Sequence, residues 1–216
     1  MAARFATAAA RGHALRRDLD RHLGGAIDLA DDALERRLYG ADNPVPDEPL
    51  SSMLRRLGQH KFDEDPPDYR VVRACLQLLP RRDMTLLDVG CGRGRVLLCA
   101  ALSGARHATG LEIVEYRAAM ARRAAARLAP DAVTVVQGNA LKLPWPKAGA
   151  LIVMNPFYPT AHRRLRARLL DYARAHRPVI VTVSTLRDRL RTDRRFRLRA
   201  EIAVEWITLA AFELRD

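Results

Sequence analysis

The apolar residues of this chain change their spacing along the sequence. From about residue 84 onward, short apolar runs predict strands at Thr85–Val89, Ala108–Leu111, Val133–Gln137, Ala150–Met154 and Val179–Val183. Stretches with helical spacing separate them, at Arg93–Leu102, Glu115–Leu128 and about Thr160–Ala175. Alternating strands and helices predict a parallel sheet with helices on both faces. The tail, Phe196–Leu214, predicts two more strands, the last antiparallel at or near the edge.

The first part of the chain has a different, helical pattern. Apolar residues recur at helical spacing between residues 14 and 29, and further helices are predicted at Asp28–Leu38 and Leu50–Leu57. Turn-forming residues predict a loop over 39–46. Asp68 is placed to cap a helix over Tyr69–Leu79, which Pro80 would end. We therefore divide the chain into an N-terminal helical extension or lid (1–67) and an α/β domain (68–216).

Composition excludes several classes of protein. Apolar residues make up 49% of the 216 residues, which allows a sizeable core, and no apolar run is long enough to cross a membrane. The basic, alanine-rich start lacks the apolar stretch of a secretory signal, which favours a cytoplasmic location. The three cysteines include no CxxC pair, so neither a disulfide framework nor a zinc site is predicted. We expect no bound metal.

The formal charge of +12 invites a nucleic-acid interpretation. Of the 37 basic residues only three are lysines, and alanine is also abundant. That combination favours a coding bias toward arginine on solvated faces. Binding to nucleic acid therefore stays an alternative here.

A glycine-rich turn follows the first strand of the α/β domain. Asp88 is followed by Gly90, Gly92 and Gly94 in the spacing G-x-G-x-G, and Arg95 stands where a dinucleotide-binding loop has its third glycine. No phosphate-binding P-loop occurs in the chain. A carboxylate beside the loop would repel a pyrophosphate. It favours a ligand with an ammonium group and no phosphate, a description that fits S-adenosylmethionine (SAM).

The segment D-V-G-C-G-R-G resembles motif I of class I SAM-dependent methyltransferases, and the resemblance extends over about residues 68–214. It implies a Rossmann-like, mostly parallel sheet of seven strands with helices on both faces. It also implies that Glu112 binds both ribose hydroxyls and that Asn139 faces the adenine amino group, where the family usually has aspartate. The cofactor set implied in this way is Asp88, Gly90, Cys91, Gly92, Gly94, Glu112, Ile113, Asn139, Ala140 and Asn155.

The fourth strand is followed by a segment similar to the Asn-Pro-Pro-Tyr/Phe motif of amino methyltransferases. That similarity implies a catalytic set of Asn155, Pro156, Phe157 and Tyr158, in which Phe157 replaces the second proline. The asparagine amide and the proline carbonyl would accept hydrogen bonds from an NH2 group, and an aromatic ring would pack on it. Tyr158 or His162 is a candidate proton acceptor, although His162 is expected on a helix surface.

A second resemblance concerns the approach to the α/β domain. A bacterial methyltransferase-like group of unassigned substrate has an aromatic-Pro-aromatic segment there, similar to Phe62, Pro66 and Tyr69. These residues would either close over the cofactor or pack against the following helix.

The function predicted from the sequence is methyl transfer from SAM to an unidentified acceptor. An amine nitrogen of a protein, peptide or small molecule is favoured. The alternatives are an RNA or DNA N-methyltransferase and a SAM-fold protein that only binds a partner. An NAD-dependent oxidoreductase is disfavoured by Arg95 and by the lack of a Tyr-x-x-x-Lys set.

Overall fold

The computed structural model describes residues 17–18, 21, 31–39, 67–154 and 161–216. Its helices are α1 (Asp31–Tyr39), α2 (Tyr69–Gln77), α3 (Arg95–Leu102), α4 (Glu115–Leu128), α5 (His162–His176) and α6 (Ser184–Thr192). Its strands are β1 (Thr85–Val89), β2 (His107–Glu112), β3 (Val133–Gln137), β4 (Ala150–Val153), β5 (Val179–Val183), β6 (Phe196–Val204) and β7 (Ile207–Leu214).

The strands form one seven-stranded sheet in the order β3-β2-β1-β4-β5-β7-β6. Strands β1 to β5 are parallel, whereas β7 pairs antiparallel with both β5 and β6. The predicted Rossmann-like fold is therefore confirmed. The antiparallel last strand is also confirmed, one place in from the edge, because β6 occupies the edge itself.

Side-chain alternation along the strands divides the core between the two faces of the sheet. On β1, Leu86 packs into the cluster beneath α1 to α4, and its neighbour Leu87 packs into the cluster beneath α5 and α6. On β4, Ile152 and Val153 divide in the same way. The central strands are thus buried on both faces, which is why they read as continuous apolar runs.

One predicted helix end agrees with the structure and two differ by two residues. Asp68 caps α2, because its Oδ1 accepts a hydrogen bond from the Arg70 amide at 2.6 Å. Helix α3 begins at Arg95 instead of the predicted Arg93, because Gly94 has a left-handed backbone with φ of 85°. Helix α2 ends at Gln77, two residues before the predicted end.

Helix α6 was not predicted from the sequence. Among its nine residues only Leu186 and Leu190 face the core, each 1% exposed. Two apolar residues four positions apart occupy one side of a helix, but they are too few to show a helical period.

Part of the predicted N-terminal organisation lies outside the described residues. This applies to the apolar pattern at 14–29, to the loop at 39–46 apart from Tyr39, and to the helix at 50–57. Helix α1 is present close to the range predicted for it, and its Leu34 and Leu38 are fully buried in the same cluster as α2, α3 and α4. The division at residues 67 and 68 stays a prediction. None of the described helices is long and apolar enough to cross a membrane.

Candidate functional site

The glycine turn lies at the carboxyl ends of the parallel strands, where open α/β sheets bind their ligands. Gly90, Gly92 and Gly94 all have positive φ, at 83°, 56° and 85°. The amides of Gly90 and Cys91 both donate to the carbonyl of Leu111, which holds the turn against β2. A Cβ built on Gly92 would meet nothing within 4 Å, so a ligand has room to approach the backbone there.

Glu112 ends β2 beside this turn. Its Oε2 accepts a hydrogen bond from the Gly92 amide and its Oε1 accepts one from the Val114 amide, both at 2.8 Å. A carboxylate has about four acceptor sites, so each oxygen retains one after these bonds. The side chain is only 5% exposed, and its two oxygens are held in a fixed orientation. The geometry suits a ligand that offers two neighbouring hydroxyl groups.

Asp88 lies one residue before the end of β1 and is 3% exposed. Within the described ranges its carboxylate has no hydrogen-bond partner. Burial in the first place, and the nearby Glu112 carboxylate in the second, raise the pKa of Asp88 to about 7. Burial likewise raises the pKa of Glu112. The site therefore contains two neighbouring carboxyl groups, and a cationic ligand bound there would favour their ionised forms.

The raised pKa of Asp88 predicts a pH-dependent stability. The folded protein keeps a proton on Asp88 up to about pH 7, whereas an ordinary aspartate releases it near 3.8. We expect this group to make the free energy of unfolding fall as the pH rises through that window. Asp88→Asn should remove this contribution, so the variant should gain stability over the wild type as the pH rises. Urea unfolding across the window measures the difference.

The control for that experiment is Asp131→Asn, at an exposed residue before β3. This variant should follow the wild-type pH dependence. An Asp88→Asn variant that also followed it would show that Asp88 is ionised in the folded protein.

The turn after β3 carries Asn139 and Ala140. The Asn139 Oδ1 accepts a hydrogen bond from the Leu141 amide at 2.9 Å, which leaves one lone pair on that oxygen. The Ala140 carbonyl accepts from the Trp145 indole at 2.8 Å. The Arg168 guanidinium donates to the carbonyl of Leu141 at 2.8 Å and lies over the Trp145 ring. Helix α5 thus fixes the turn, and Asn139 also serves as a structural residue of that turn.

A charged cluster at the start of α3 was not predicted as a unit. The Arg95 side chain donates to Glu35 Oε2 at 2.9 Å and to the Pro67 carbonyl at 2.8 Å. Its guanidinium also lies 4.6 Å from the centre of the Tyr69 ring, and the Tyr69 hydroxyl donates to Glu35. Glu35 belongs to α1, so the cluster joins the N-terminal helix to the glycine turn. Its only signal in the sequence was an arginine in the third-glycine position.

The predicted aromatic segment before α2 is described only in part. Tyr69 is 1% exposed and packs within the Arg95 cluster, between α1 and α3, so the two alternatives for this segment stay predictions. Phe62 and Pro66 lie outside the described residues. A further bond joins α1 to the turn, because the Tyr39 hydroxyl donates to the Arg93 carbonyl at 3.0 Å.

The predicted acceptor residues also lie outside the described residues: Asn155, Pro156, Phe157 and Tyr158. What the structure describes is their surroundings. Strand β4 lies beside β1, with Ile152 paired to Asp88, so the chain leaves β4 next to the glycine turn. His162, expected on a helix surface, is instead 7% exposed, because it faces the core from the first turn of α5.

Of the predicted cofactor set, the structure brings Asp88, Gly90, Cys91, Gly92, Gly94 and Glu112 together at one edge of the sheet. Ile113 follows directly, and its carbonyl accepts from Gln137 at the end of β3. In the described ranges no group of three or more histidine, cysteine or acidic side chains could hold a metal ion.

Comparisons with known proteins agree with this geometry. A family model described as a methyltransferase domain matches residues 86–178. No curated protein matches the sequence. An RNA methyltransferase from Salinibacter ruber, in complex with S-adenosyl-L-homocysteine (SAH), is 22% identical with a TM-score of 0.58, over 69% of this chain and 94% of that chain.

Two further solved structures share the fold. A ribosomal protein L11 methylase from Lactobacillus delbrueckii subsp. bulgaricus is 12% identical with a TM-score of 0.54, over 70% of this chain and 81% of that chain. A precorrin-6y C5,15-methyltransferase from Geobacter metallireducens GS-15 is 15% identical with a TM-score of 0.55, over 73% of this chain and 95% of that chain. Residues 86–178 therefore match a methyltransferase-domain family, and the chain shares the fold of these methyltransferases, with the carboxylate-lined glycine turn at the edge of the sheet where such folds bind their ligands.

Proposed function

We propose that the protein transfers the methyl group of SAM to an amine nitrogen that lies at the carboxyl end of β4. The observation that carries the proposal is the buried Glu112 carboxylate, whose remaining acceptor sites suit the two ribose hydroxyls of SAM. The open space at Gly92 would receive the cofactor beside it. Asp88 supplies a second carboxyl group, which favours the positively charged cofactor.

The remaining contacts follow from the turn after β3 and from the end of β4. The free lone pair on Asn139 Oδ1 would accept a hydrogen bond from the adenine amino group, next to Ala140. When bound, SAM supplies a methyl carbon made electrophilic by its sulfonium. The chain then has to hold the acceptor lone pair in line and exclude water, rather than activate a nucleophile.

On the acceptor side, we assign the orienting role to Asn155. Its amide oxygen and the Pro156 carbonyl would accept hydrogen bonds from the acceptor NH2 group, and Phe157 or Tyr158 would pack against the acceptor. The support is the sequence motif together with the position of β4 beside β1. A methyl-accepting nitrogen bound by Asn155 would lie at the carboxyl edge of the sheet, where the glycine turn also lies.

The acceptor molecule is a separate question from the transfer itself. The three similar structures are named for an RNA, a ribosomal protein and a precorrin, so the fold does not select among acceptors. A nucleic acid is the second candidate beside a protein or small-molecule amine. It is favoured by the basic charge, which is unevenly distributed along the chain.

Replacing Asn155 tests the proposed division between cofactor and acceptor sides. In Asn155→Ala we expect methyl transfer to fall by roughly 100-fold, whereas the Kd for SAM, measured by calorimetry, rises by at most about tenfold, because Asn155 belongs to the predicted cofactor set as well as to the acceptor side. Transfer is measured with radiolabelled SAM on separate RNA, protein and small-molecule fractions. The labelled fraction names the acceptor class.

The same substitution at Asn139 is the matched control, because it lies on the cofactor side. Asn139→Ala should weaken SAM binding more than it slows transfer at saturating SAM, whereas Asn155→Ala should mainly slow transfer. Wild-type transfer by Asn155→Ala would contradict the role of that residue. A folded wild type that bound neither SAM nor SAH would contradict the proposal as a whole.

A further inference from the structure

The positive charge of this protein is concentrated in one segment. Residues 161–200 contain thirteen arginines against three aspartates, an excess of ten positive charges out of the formal +12 of the chain. The other residues contain 24 basic and 22 acidic side chains, so they are nearly neutral. A coding bias toward arginine would act on the whole chain. It does not account for this distribution.

The fold gathers that segment on one side of the sheet. Helices α5 and α6 both pack on the core cluster that includes Leu169 and Leu190. An ion pair between Arg166 and Asp193, at 3.4 Å, joins α5 to the turn that follows α6. The exposed arginines of α5, α6 and that turn therefore form one surface, which we call the arginine face.

Many arginines of residues 161–200, in this face and in the neighbouring strand β6, already have acidic partners. Asp193 pairs with Arg166 and Arg195, and Glu213 pairs with both Arg197 and Arg199. Four exposed arginines have no acidic partner among the described residues: Arg163, Arg164, Arg189 and Arg194. Exposed guanidinium groups without an ion pair of their own suit a ligand with repeated negative charges.

Two of these arginines lie at the start of α5, at the carboxyl edge of the sheet. Helix α5 begins at His162, after the segment that follows β4. Arg163 and Arg164 follow Asn155 by eight and nine positions in the chain. A polyanion bound along α5 would run toward the place where the acceptor nitrogen must lie.

An exposed tryptophan lies at the same edge of the sheet. Trp206 is 85% exposed at the tip of the β6–β7 hairpin. Because Val183, the last residue of β5, pairs with Leu209, the start of β7 lies at the carboxyl ends of the parallel strands. The Glu205 carboxylate pairs with Arg70 at 2.8 Å, which ties the hairpin tip to the start of α2, on the face of the sheet opposite α5 and α6. From the arginine face, Arg187 of α6 donates to the Thr208 carbonyl at 3.2 Å, two residues from Trp206. An exposed indole ring can stack on an unpaired base of RNA, whereas an acidic peptide would bind through the arginines without such a ring.

We propose that the arginine face binds the phosphate backbone of a structured RNA and that Trp206 stacks on an unpaired base of it. This inference rests on the proposed function, since the RNA would carry the methyl-accepting nitrogen. Arginine donates paired hydrogen bonds to phosphate oxygens, and folded RNA presents unpaired bases beside its backbone. The face would position the RNA, and the β4 edge would receive the target base.

Matched pairs of arginines provide the test. The probe is a fluorescently labelled RNA hairpin with an unpaired loop of all four bases, and binding is followed by anisotropy over a range of salt concentrations. Arg163→Gln with Arg164→Gln should weaken binding by roughly tenfold and lower the slope of log K against log salt by about one to two. The control is Arg122→Gln with Arg123→Gln, an exposed pair on α4 across the sheet, which should leave both quantities unchanged.

Trp206→Ala tests the other half of the proposal. Loss of one stacked base should weaken binding by about tenfold with no change in the salt slope. Equal binding of the DNA hairpin of the same sequence, or of polyglutamate, would overturn the assignment to RNA. So would equal losses in the α5 and α4 pairs.

Calorimetry with SAM on the same proteins separates the two proposals. Wild type that binds SAM but not the RNA hairpin would overturn the RNA inference and leave the proposed methyl transfer standing. Wild type that binds the RNA hairpin through the arginine face but binds no SAM would contradict the proposed function alone. Each α5 variant should keep wild-type affinity for SAM.

Discussion

Glu112→Gln is expected to abolish useful binding of SAM. The two oxygens of Glu112 each accept an amide hydrogen bond, from Gly92 and from Val114. Glutamine offers only one oxygen, so its NH2 group would face one of these N–H groups. The proposed bonds to the two ribose hydroxyls would also weaken. Hydrogen bonds to a charged partner contribute about 1.5–3 kcal/mol each, so we expect the Kd for SAM to rise by about 100-fold or more.

The comparison between SAM and SAH makes this prediction specific. Both ligands have the same ribose, whereas only SAM has the positive sulfonium. If Glu112 binds the ribose, Glu112→Gln should weaken both ligands by the same factor. A loss confined to SAM would mean that Glu112 acts through its charge on the sulfonium.

The matched control for Glu112 is Glu115→Gln. Glu115 is the first residue of α4, three positions away and exposed. The Glu115→Gln variant should bind SAM and SAH as the wild type does. Thermal unfolding without ligand should leave Glu112→Gln within a few degrees of the wild type, because the lost amide bond is offset by weaker repulsion of Asp88. Unchanged affinity in Glu112→Gln would exclude the ribose contact.

Of the substitutions proposed for this protein, Arg95→Met is expected to lower the free energy of unfolding the most. Arg95 is 9% exposed, and its guanidinium bonds to Glu35 and to the Pro67 carbonyl. Methionine keeps much of the apolar stem but leaves the carboxylate of Glu35 without its main cation, in a largely buried position. Breaking such a pair from one side costs about 3 kcal/mol or more. For a chain of this length that lowers Tm by roughly 6–12 °C.

A double-mutant cycle with Glu35→Gln shows whether the loss comes from the pair itself. Removing both charges leaves neither member of the Arg95–Glu35 pair unpaired, and only Arg93, 3.7 Å from Glu35, loses an acidic partner. The double variant should therefore lose less stability than the two single variants add up to. Arg122→Met, on the exposed side of α4, is the control and should stay within about 0.5 kcal/mol of the wild type. Additive losses at Arg95 and Glu35 would show that the two residues act independently.

Arg95→Met also tests the link between α1 and the cofactor. The Arg95–Glu35 pair and the bond from Tyr39 to the Arg93 carbonyl both hold α1 against the glycine turn. Loss of the pair should therefore weaken SAM binding as well as stability. The sequence pattern predicted an N-terminal lid, and this contact is a physical reason for a dependence of the cofactor site on α1.

Several elements could be predicted because their cause is local. Strands β1, β3 and β5 and helix α4 have the predicted ends, since a buried strand reads as an apolar run and a helix as a period. Asp68 caps its helix through a bond to a residue two positions away. Helix α6 was not predicted, because its two core leucines are too few to show a helical period.

The amount of positive charge could be predicted from the sequence, but its arrangement in space could not. Counting arginines along the sequence reveals the excess in residues 161–200, yet it does not reveal that most of them share one side of a sheet. Only the packing of α5 and α6 against one core cluster, and the pairing of Arg166 with Asp193, bring them together. An ion pair 27 residues apart has no sequence signal.

The sequence by itself determined the class of fold, the glycine turn and the carboxylates at the ends of β1 and β2, because each depends on neighbours within a few residues. Tertiary structure alone decided that Glu112 accepts from Gly92, that Arg95 pairs with Glu35 across 60 positions, and that Asp88 has a pKa of about 7. These properties arise from distance and burial between segments that are remote in the chain. Spacing along a sequence carries no record of them.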